Sequence, residues 1–296
     1  MDPHVRALRY FVAVAEELSV TRAAERLYVS QPALSKQIRQ LEKLLRAELF
    51  HLEPRGVRLT VAGEALLPRA PQAIAEWDVA LDEVRVAVAE AERMITVGFH
   101  TRIGRGLVPG VTARMAEQLP GWRLQFRQIA WDDPTVGLEG GGVDVAVAWL
   151  PAPAGLAVKV VATEDRWVAL PAGHRLAARS ELRFADIADE PYIALPVSAG
   201  PMREFWLAVD QRDRPPTVAA EATTADETFE AVASGDGIAL LAAGNAVIYR
   251  RDDVVALPVV DLPPAQLAVL WRRRDRRAAV RVVVDACCAC AGLPAA

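Results

Sequence analysis

Residues 19–39 run Ser19-Val-Thr-Arg-Ala-Ala-Glu-Arg-Leu-Tyr-Val-Ser-Gln-Pro-Ala-Leu-Ser-Lys-Gln-Ile-Arg39, and they predict two short helices joined by a tight turn. Ser19 can cap the first, whose inward side (Ala23, Ala24, Leu27) is small enough to let a second helix approach closely. Ser30 suits the N-cap of the second, and Pro32 falls in its first turn, where a missing N–H costs nothing. From there Leu34, Ile38, Leu41 and Leu45 recur at helical spacing as one stripe for a core. Pro32, Ser35, Lys36, Arg39 and Gln40 point the other way, with Gln31 at the edge. Gln and Ser can bond base edges, and Lys and Arg can bond guanine or phosphate. Such a helix fits a DNA major groove. The plainer reading is an amphipathic helix with a solvated face; the Ser-rich turn, the Ala-Ala packing face and the next segment favour DNA.

That segment is Glu48-Leu-Phe-His-Leu-Glu-Pro-Arg-Gly-Val-Arg-Leu-Thr60. Pro54 and Gly56 mark a turn between two extended runs, a hairpin with Arg55 at its tip and Arg58 on the return strand. Beside a reading helix, such a wing places arginines against phosphates or in a narrow minor groove. Two solvated loop arginines are the alternative.

The first ninety residues resemble the winged helix-turn-helix of the LysR-type transcriptional regulators. The stretches that carry the resemblance are Leu8-Arg-Tyr-Phe-Val-Ala-Val-Ala-Glu16, Ala23-Ala-Glu-Arg-Leu27, Val29-Ser-Gln-Pro-Ala-Leu-Ser35, Ile38-Arg-Gln-Leu-Glu42, Leu49-Phe50 and Val57-Arg-Leu-Thr-Val-Ala-Gly63. Order and spacing match throughout. One position departs: the family usually has a basic residue two places after the Leu-Phe pair, and here it is Leu52. A lost phosphate contact there would weaken binding without relaxing sequence choice.

Charge agrees. Residues 1–60 hold ten Lys and Arg against seven Asp and Glu, net +3; the rest hold 24 against 31, net −7, which gives the overall −4. An acidic body with a mildly basic head suits a protein that touches nucleic acid at one end, and not one that coats nucleic acid or an anionic membrane. The 296 residues suffice for two or three domains, and 52% apolar and 24% charged residues are ordinary globular values. No apolar run approaches a membrane helix, and Arg6 and Arg9 interrupt any signal-peptide stretch, so a cytoplasmic protein is expected. Cys287, Cys288 and Cys290 have no usual zinc spacing and no nearby histidine, and are expected as small apolar residues of a terminal helix.

A helical segment is expected over 62–93, where Leu66, Ala70, Ile74, Trp77, Leu81, Val84 and Val88 follow steps of four and three, a coiled-coil seam. The resemblance implies that this linker dimerises. Pro68 and Pro71 each remove an intrahelical bond, so a kink or restart is expected at Pro71, with 74–88 carrying the pairing. The DNA-binding domain is thus set at 1–61, the linker at 62–93 and the effector-binding domain at 94–296.

From Ile95 the pattern is α/β. Strands are expected at 95–100, 123–129, 143–149, 159–161, 167–170, 192–195, 217–222, 238–241 and 267–271. Helices are expected from Ile103, after Asp132 or Asp133 with Pro134 in the first turn, and at 202–210, 226–233 and 277–290. Alternation implies mainly parallel sheets with helices on both faces. Ala172-Gly-His-Arg-Leu-Ala177, Phe184-Ala-Asp-Ile-Ala188 and Val232-Ala-Ser-Gly-Asp-Gly-Ile-Ala-Leu240 extend the resemblance to the family's effector region. It implies a two-lobed fold like periplasmic binding proteins, lobe I at 95–163 plus 267–296 and lobe II at 166–264, with crossings near Glu164 and Gln266.

Ligands in such folds bind beyond the carboxyl ends of strands. The positions that meet this description are His100, Thr101, Arg102, Ala130, Trp131, Ser198, Thr223 and Thr224. Hydroxyls at helix starts with one arginine would suit a small carboxylate, although each could be a simple cap. No Gly-x-Ser-x-Gly elbow, His-Glu-x-x-His or phosphate loop occurs; Gly140-Gly-Gly142 precedes a strand and is expected as a helix stop. No cofactor and no metal are expected. An enzyme, or a binding module whose DNA contact has degenerated (Leu52, the linker prolines), are the other readings; turnover of a ligand and DNA affinity discriminate them. On the resemblance, dimers, paired into tetramers, hold an interrupted palindrome in promoter DNA through Gln31, Pro32, Ser35, Lys36 and Arg39, with Arg55 and Arg58 anchoring the wings. An effector then shifts lobe closure and the access of RNA polymerase.

Overall fold

The computed structural model describes residues 3–27, 29–53, 56–104 and 106–290, divided into two units, 1–88 and 89–296. The first begins with α1 (Pro3–Glu17), α2 (Val20–Arg26) and α3 (Gln31–Leu45). Ser19 caps α2 by accepting from Arg22 N–H at 3.3 Å. Ser30 sits at the N-cap of α3 but makes no side-chain cap bond, while Pro32 lies in the first turn. Leu34, Ile38 and Leu41 are buried with Phe11 and Val14 of α1 and with Ala23 and Ala24 of α2. The stripe stops there: Leu45 is 44% exposed, because the helix outruns the core before Arg46 ends it in a left-handed conformation (φ 54°).

The hairpin pairs β1 (Phe50–Glu53) with β2 (Gly56–Leu59) antiparallel. Its tip, Pro54 and Arg55, lies outside the described residues. Gly56, at φ +143°, passes close under α1: a Cβ there would lie 2.4 Å from the Leu18 carbonyl oxygen. Only glycine permits both this conformation and this approach.

The linker is two helices, α4 (Val61–Leu66) and α5 (Ala70–Glu92). The break contains Pro68, and Pro71 falls in the first turn of α5, where its missing N–H is harmless. Thr60 caps α4 by accepting from Gly63 N–H at 3.1 Å. Gly63 packs so closely on Leu49 that a Cβ would meet its carbonyl oxygen at 2.3 Å, so α4 belongs to the head. Asp78 of α5 receives Arg9 of α1 through both carboxylate oxygens, at 2.5 and 2.8 Å.

The second unit contains, in order, β3 (Met94–Phe99), α6 (Leu107–Gln118), β4 (Arg123–Gln128), β5 (Val145–Trp149), β6 (Leu156–Glu164), β7 (Arg166–Pro171), α7 (Phe184–Ile187), β8 (Tyr192–Ala194), α8 (Pro201–Trp206), β9 (Val218–Glu221), α9 (Ala225–Ala233), β10 (Ala239–Ala242), α10 (Ala243–Ile248), β11 (Val254–Pro258), β12 (Ala265–Arg272) and α11 (Ala278–Cys290). One sheet has the order β4-β3-β5-β12-β6 and another β10-β7-β11. The β8–β9 pair continues the second through a parallel bridge from Tyr192 to Ile238. The lobes meet at Asp165, between β6 and β7, and at the start of β12, where Ala265 pairs with Glu164.

The sheets are mixed, which corrects the expectation of mainly parallel ones. β3 runs parallel to β4 and β5, but β12 is antiparallel to β5 and β6, and β7 to β10 and β11. The chain leaves the first lobe along β6 and returns on its neighbour β12, so those two strands must oppose each other. Nor do helices cover both faces. In β5, Val145, Val147 and Trp149 join the cluster of Val111 and Met115 from α6 and Val280 and Val283 from α11. Ala146 and Ala148 join Val136, Leu138 and Val143 on the other face. The stretch 131–142 on that face is turns, not the expected helix. The Asp133 carboxylate accepts from Thr135 N–H (2.9 Å), the Thr135 hydroxyl (2.6 Å) and Gly137 N–H (3.0 Å). Val136 and Gly137 then take positive φ (55° and 80°), which no right-handed helix continues. Gly140–Gly142 therefore stops no helix. The helix expected over 202–210 likewise ends early, because Ala208 is left-handed (φ 51°).

Cys287 and Cys290 are buried on α11 and Cys288 is half-buried. No metal-holding group of His, Cys, Asp or Glu occurs among the described residues. Burial, aided by the neighbouring thiols, pushes the Cys287 thiol up to about 12, leaving roughly one in ten thousand ionised at pH 8. Iodoacetamide on the native protein is therefore expected to modify Cys288 first and to reach Cys287 and Cys290 only after denaturation. Mass spectrometry of a time course reads this, and rapid native labelling of Cys287 would show the helix end to be open.

Candidate functional site

Two places stand out, an exposed polar helix face that folding does not consume and a largely apolar cleft. The first is the outer face of α3. Gln31, Pro32, Lys36, Arg39 and Gln40 are exposed and Ser35 is half-buried, as the 3.6-residue period demands once Leu34, Ile38 and Leu41 face inward. Arg39 folds back on its helix, its Nε donating to the Ser35 carbonyl at 3.3 Å. In the hairpin, Arg58 is held by Glu53 at 3.1 Å, both well exposed. So exposed an ion pair is worth less than about 1 kcal/mol and gives way readily to a phosphate. Leu52, where the family usually has a basic residue, is 87% exposed and offers no charge. Exposure thus brings Gln31, Pro32, Ser35, Lys36 and Arg39 onto one face; Arg55 lies outside the described residues.

The second place is a cleft within residues 89–296, an interior cavity of about 50 Å³ within about 680 Å³ counted out to its open mouth. The first lobe supplies His100 and Thr101 after β3, Trp131 after β4, and Trp149 at the end of β5. The second supplies Met202 and Trp206 of α8, Thr228 and Phe229 of α9, Asn245 of α10, and Tyr249. Trp149 and Trp206 meet edge to face across the lobes at 6.1 Å, and Phe229 and Tyr249 stack at 5.0 Å. Two backbone donors also bridge the lobes: Trp131 N–H to the Thr223 carbonyl and Arg102 N–H to the Tyr249 hydroxyl, both at 2.8 Å.

The structure divides the expected ligand positions. His100, Thr101 and Trp131 line the cleft. Arg102 stands at its edge with its guanidinium over the Tyr249 ring (5.0 Å) and 3.8 Å from Asp226. Thr223 and Thr224 do not line it. Thr223 gives both its N–H (2.6 Å) and its hydroxyl (2.8 Å) to Glu227, and Thr224 caps α9 by accepting from Glu227 N–H at 3.2 Å. These bonds hold the Glu227 carboxyl below its ordinary range. Ser198 sits in the short 3-10 turn Val197–Ala199, also off the lining. The hydroxyl-and-arginine arrangement that would suit a carboxylate is therefore not assembled, because the threonines are spent on their own helix. No Lys, Arg, Asp or Glu is among the described lining residues.

His100 is 3% exposed. Its Nε2 lies 3.0 Å from the Asp133 carbonyl oxygen, and its Nδ1 has no hydrogen-bond partner among the described residues. Burial lowers its pKa, against weaker opposing effects from that carbonyl and from Asp133 and Asp132. The imidazole is thus neutral at pH 7. Of the aromatic wall the sequence points only to Trp131; Trp149, Trp206, Phe229 and Tyr249 carry no such signal, and Asn245 and Tyr249 come from α10 and the residue after it, a stretch with no helix signal of useful length.

A winged helix-turn-helix joined to a two-lobed α/β body with an internal cleft defines a DNA-binding regulator rather than an enzyme. Residues 5–64 match the bacterial regulatory helix-turn-helix protein, lysR family, and residues 89–289 match the LysR substrate binding domain. The chain belongs to the LysR family of transcriptional regulators. It is similar to the HTH-type transcriptional regulator IlvR of Caulobacter vibrioides, 30% identical over 277 residues that cover 92% of this chain and 93% of IlvR. It is equally similar to the Hca operon transcriptional activator HcaR of Escherichia coli, 30% identical over 283 residues covering 94% of each. Among solved structures, full-length CbnR complexed with its target DNA matches with a TM-score of 0.53 at 24% identity, over 98% of this chain and all of that one. Full-length BenM gives 0.52 at 24%, over 97% and 95%. At that identity the likeness is one of fold. No helix among the described residues is long and apolar enough to cross a membrane.

Proposed function

We propose that α3 enters the major groove with Gln31, Pro32, Ser35, Lys36 and Arg39 toward the bases and backbone, that Arg55 and Arg58 anchor the hairpin, and that a small molecule in the interlobe cleft controls the outcome. The exposed polar face of α3, opposite a buried apolar stripe, carries the reading. Its support from kinship is a helix-turn-helix match over residues 5–64 and a fold like that of CbnR on DNA. The acting form is a dimer or a pair of dimers on an interrupted palindrome, inside the cytoplasm, with RNA polymerase reading the result. A ligand moves the equilibrium only by binding the two lobe arrangements unequally.

The test is a footprint on the DNA upstream of the protein's own gene, with a salt series. An interrupted palindrome with affinity falling steeply in salt is expected; diffuse protection alone would refute sequence-specific reading by α3.

Pairing rests on α5, where Trp77, Val84 and Val88 are 37%, 62% and 50% exposed and keep heptad spacing with Leu81. Replacing Val84 and Val88 with Asp puts two charges into that seam. Light scattering should then show the mass of one chain in place of two or four, with the circular dichroism unchanged. An unaltered mass would place the pairing elsewhere.

A further inference from the structure

We infer that the cleft is built for an uncharged ligand that donates a hydrogen bond, a hydroxyl or N–H on a small apolar frame, and that His100 Nδ1 is the acceptor. This rests on the reading of the cleft as the effector site. The Asp133 carbonyl can only accept, so the Nε2 that faces it at 3.0 Å must carry the imidazole proton. In a neutral ring that leaves Nδ1 as a lone pair. It is buried, in a side chain 3% exposed that lines the cleft, and no group among the described residues donates to it. Buried acceptors are costly to leave unmade, and a ligand donor is the group that completes this one.

The surroundings point the same way. Trp131, Trp149, Trp206 and Phe229 give the cleft an apolar wall, and the Thr228 hydroxyl is already committed to the Thr224 carbonyl at 3.0 Å. No charged residue is among the described lining and Arg102, at the edge, lies over Tyr249 and near Asp226, so a carboxylate beside His100 would face a lone pair. To be held at Nδ1 it would have to bring a proton to His100, against the burial that keeps the ring neutral.

The experiment uses the full-length protein with isobutanol and isobutyrate as matched probes. Binding is followed by tryptophan fluorescence and by the imidazole nitrogen-15 shifts of the four histidines, with His100 assigned from His100→Phe. In the free protein at pH 7, His100 should show a bare Nδ1 and a protonated Nε2. Isobutanol should saturate at a concentration at least tenfold below isobutyrate and move the Nδ1 resonance toward its hydrogen-bonded value. His100→Phe should weaken isobutanol at least tenfold. A protonated Nδ1 in the free protein overturns the inference, and the wild-type spectrum decides this even if the variant misfolds. Tighter binding of isobutyrate, with proton uptake at His100, overturns it and leaves the cleft as the effector site. Absence of saturable binding by either probe removes the cleft reading and the inference together, while the footprint stands independently.

Discussion

Replacing Ser35 and Arg39 with Ala together should lower affinity for the specific site by roughly 30-fold to ten-thousandfold. A good side-chain contact to a base edge contributes about 1–3 kcal/mol of discrimination, and every 1.4 kcal/mol is about a factor of ten. The fold should hardly notice. Arg39 is exposed and its bond to the Ser35 carbonyl at 3.3 Å is an exposed, local one. Leu34, Ile38 and Leu41, which fasten α3 to the head, are untouched, and Ala is the better helix former at both places. The measurement is fluorescence anisotropy on the footprinted site against a scrambled duplex, with the thermal melt and the mass as controls. Affinity for the scrambled duplex should fall only modestly, by the phosphate share of Arg39. Retention of specific affinity within threefold would mean that α3 is not the reading helix.

Replacing Arg166 with Met should destabilise residues 89–296 by about 3–5 kcal/mol and lower the melting temperature by roughly 10 °C. Arg166 is the largest fully buried side chain and opens β7 immediately after the first crossing. Its Nε donates to the Pro263 carbonyl and its Nη1 to the Phe205 carbonyl, both at 2.8 Å, and the guanidinium lies 4.5 Å over the Phe205 ring. Burial lowers its pKa, but from so high a start that the charge persists. It joins the outgoing crossing, the segment before the return crossing and the end of α8, which carries Trp206 into the cleft. Met fills the space yet leaves two carbonyls without donors. Arg166→Lys should recover only part of the loss, because one ammonium cannot reach both carbonyls or stack on the ring. Urea denaturation of the three proteins reads the order. A Met variant within 1 kcal/mol of the parent would show that this guanidinium does not hold the crossing.

These two residues also mark how far the sequence could be read. The outer face of α3 was legible because its causes are local: fifteen residues, one period, a proline in the first turn and an apolar stripe that forces the rest outward. The hairpin, the restart at Pro71 and the strands of the first lobe are legible for like reasons, whereas the crossings near Glu164 and Gln266 follow from the family resemblance alone. Periodicity places Leu45 in the core because it cannot say where the core ends, and the side chain is exposed. Asp-Pro after Trp131 predicts a helix because it looks like a helix start, while the positive φ at Val136 is set by packing under β5.

The sequence by itself determined the exposed polar face of α3, which depends on neighbours within a turn or two of chain, and the division into head and body and the family, which rest on motifs matched in order along the chain. Only the tertiary structure decided the cleft. Trp131, Trp149, Trp206 and Tyr249 stand on four separate segments and meet because strand ends from two lobes converge. Likewise, whether a hydroxyl at a helix start is free for a ligand depends on what else is within reach. Thr223 and Thr224 are consumed by Glu227, whereas His100 is left with a buried acceptor that no described residue completes.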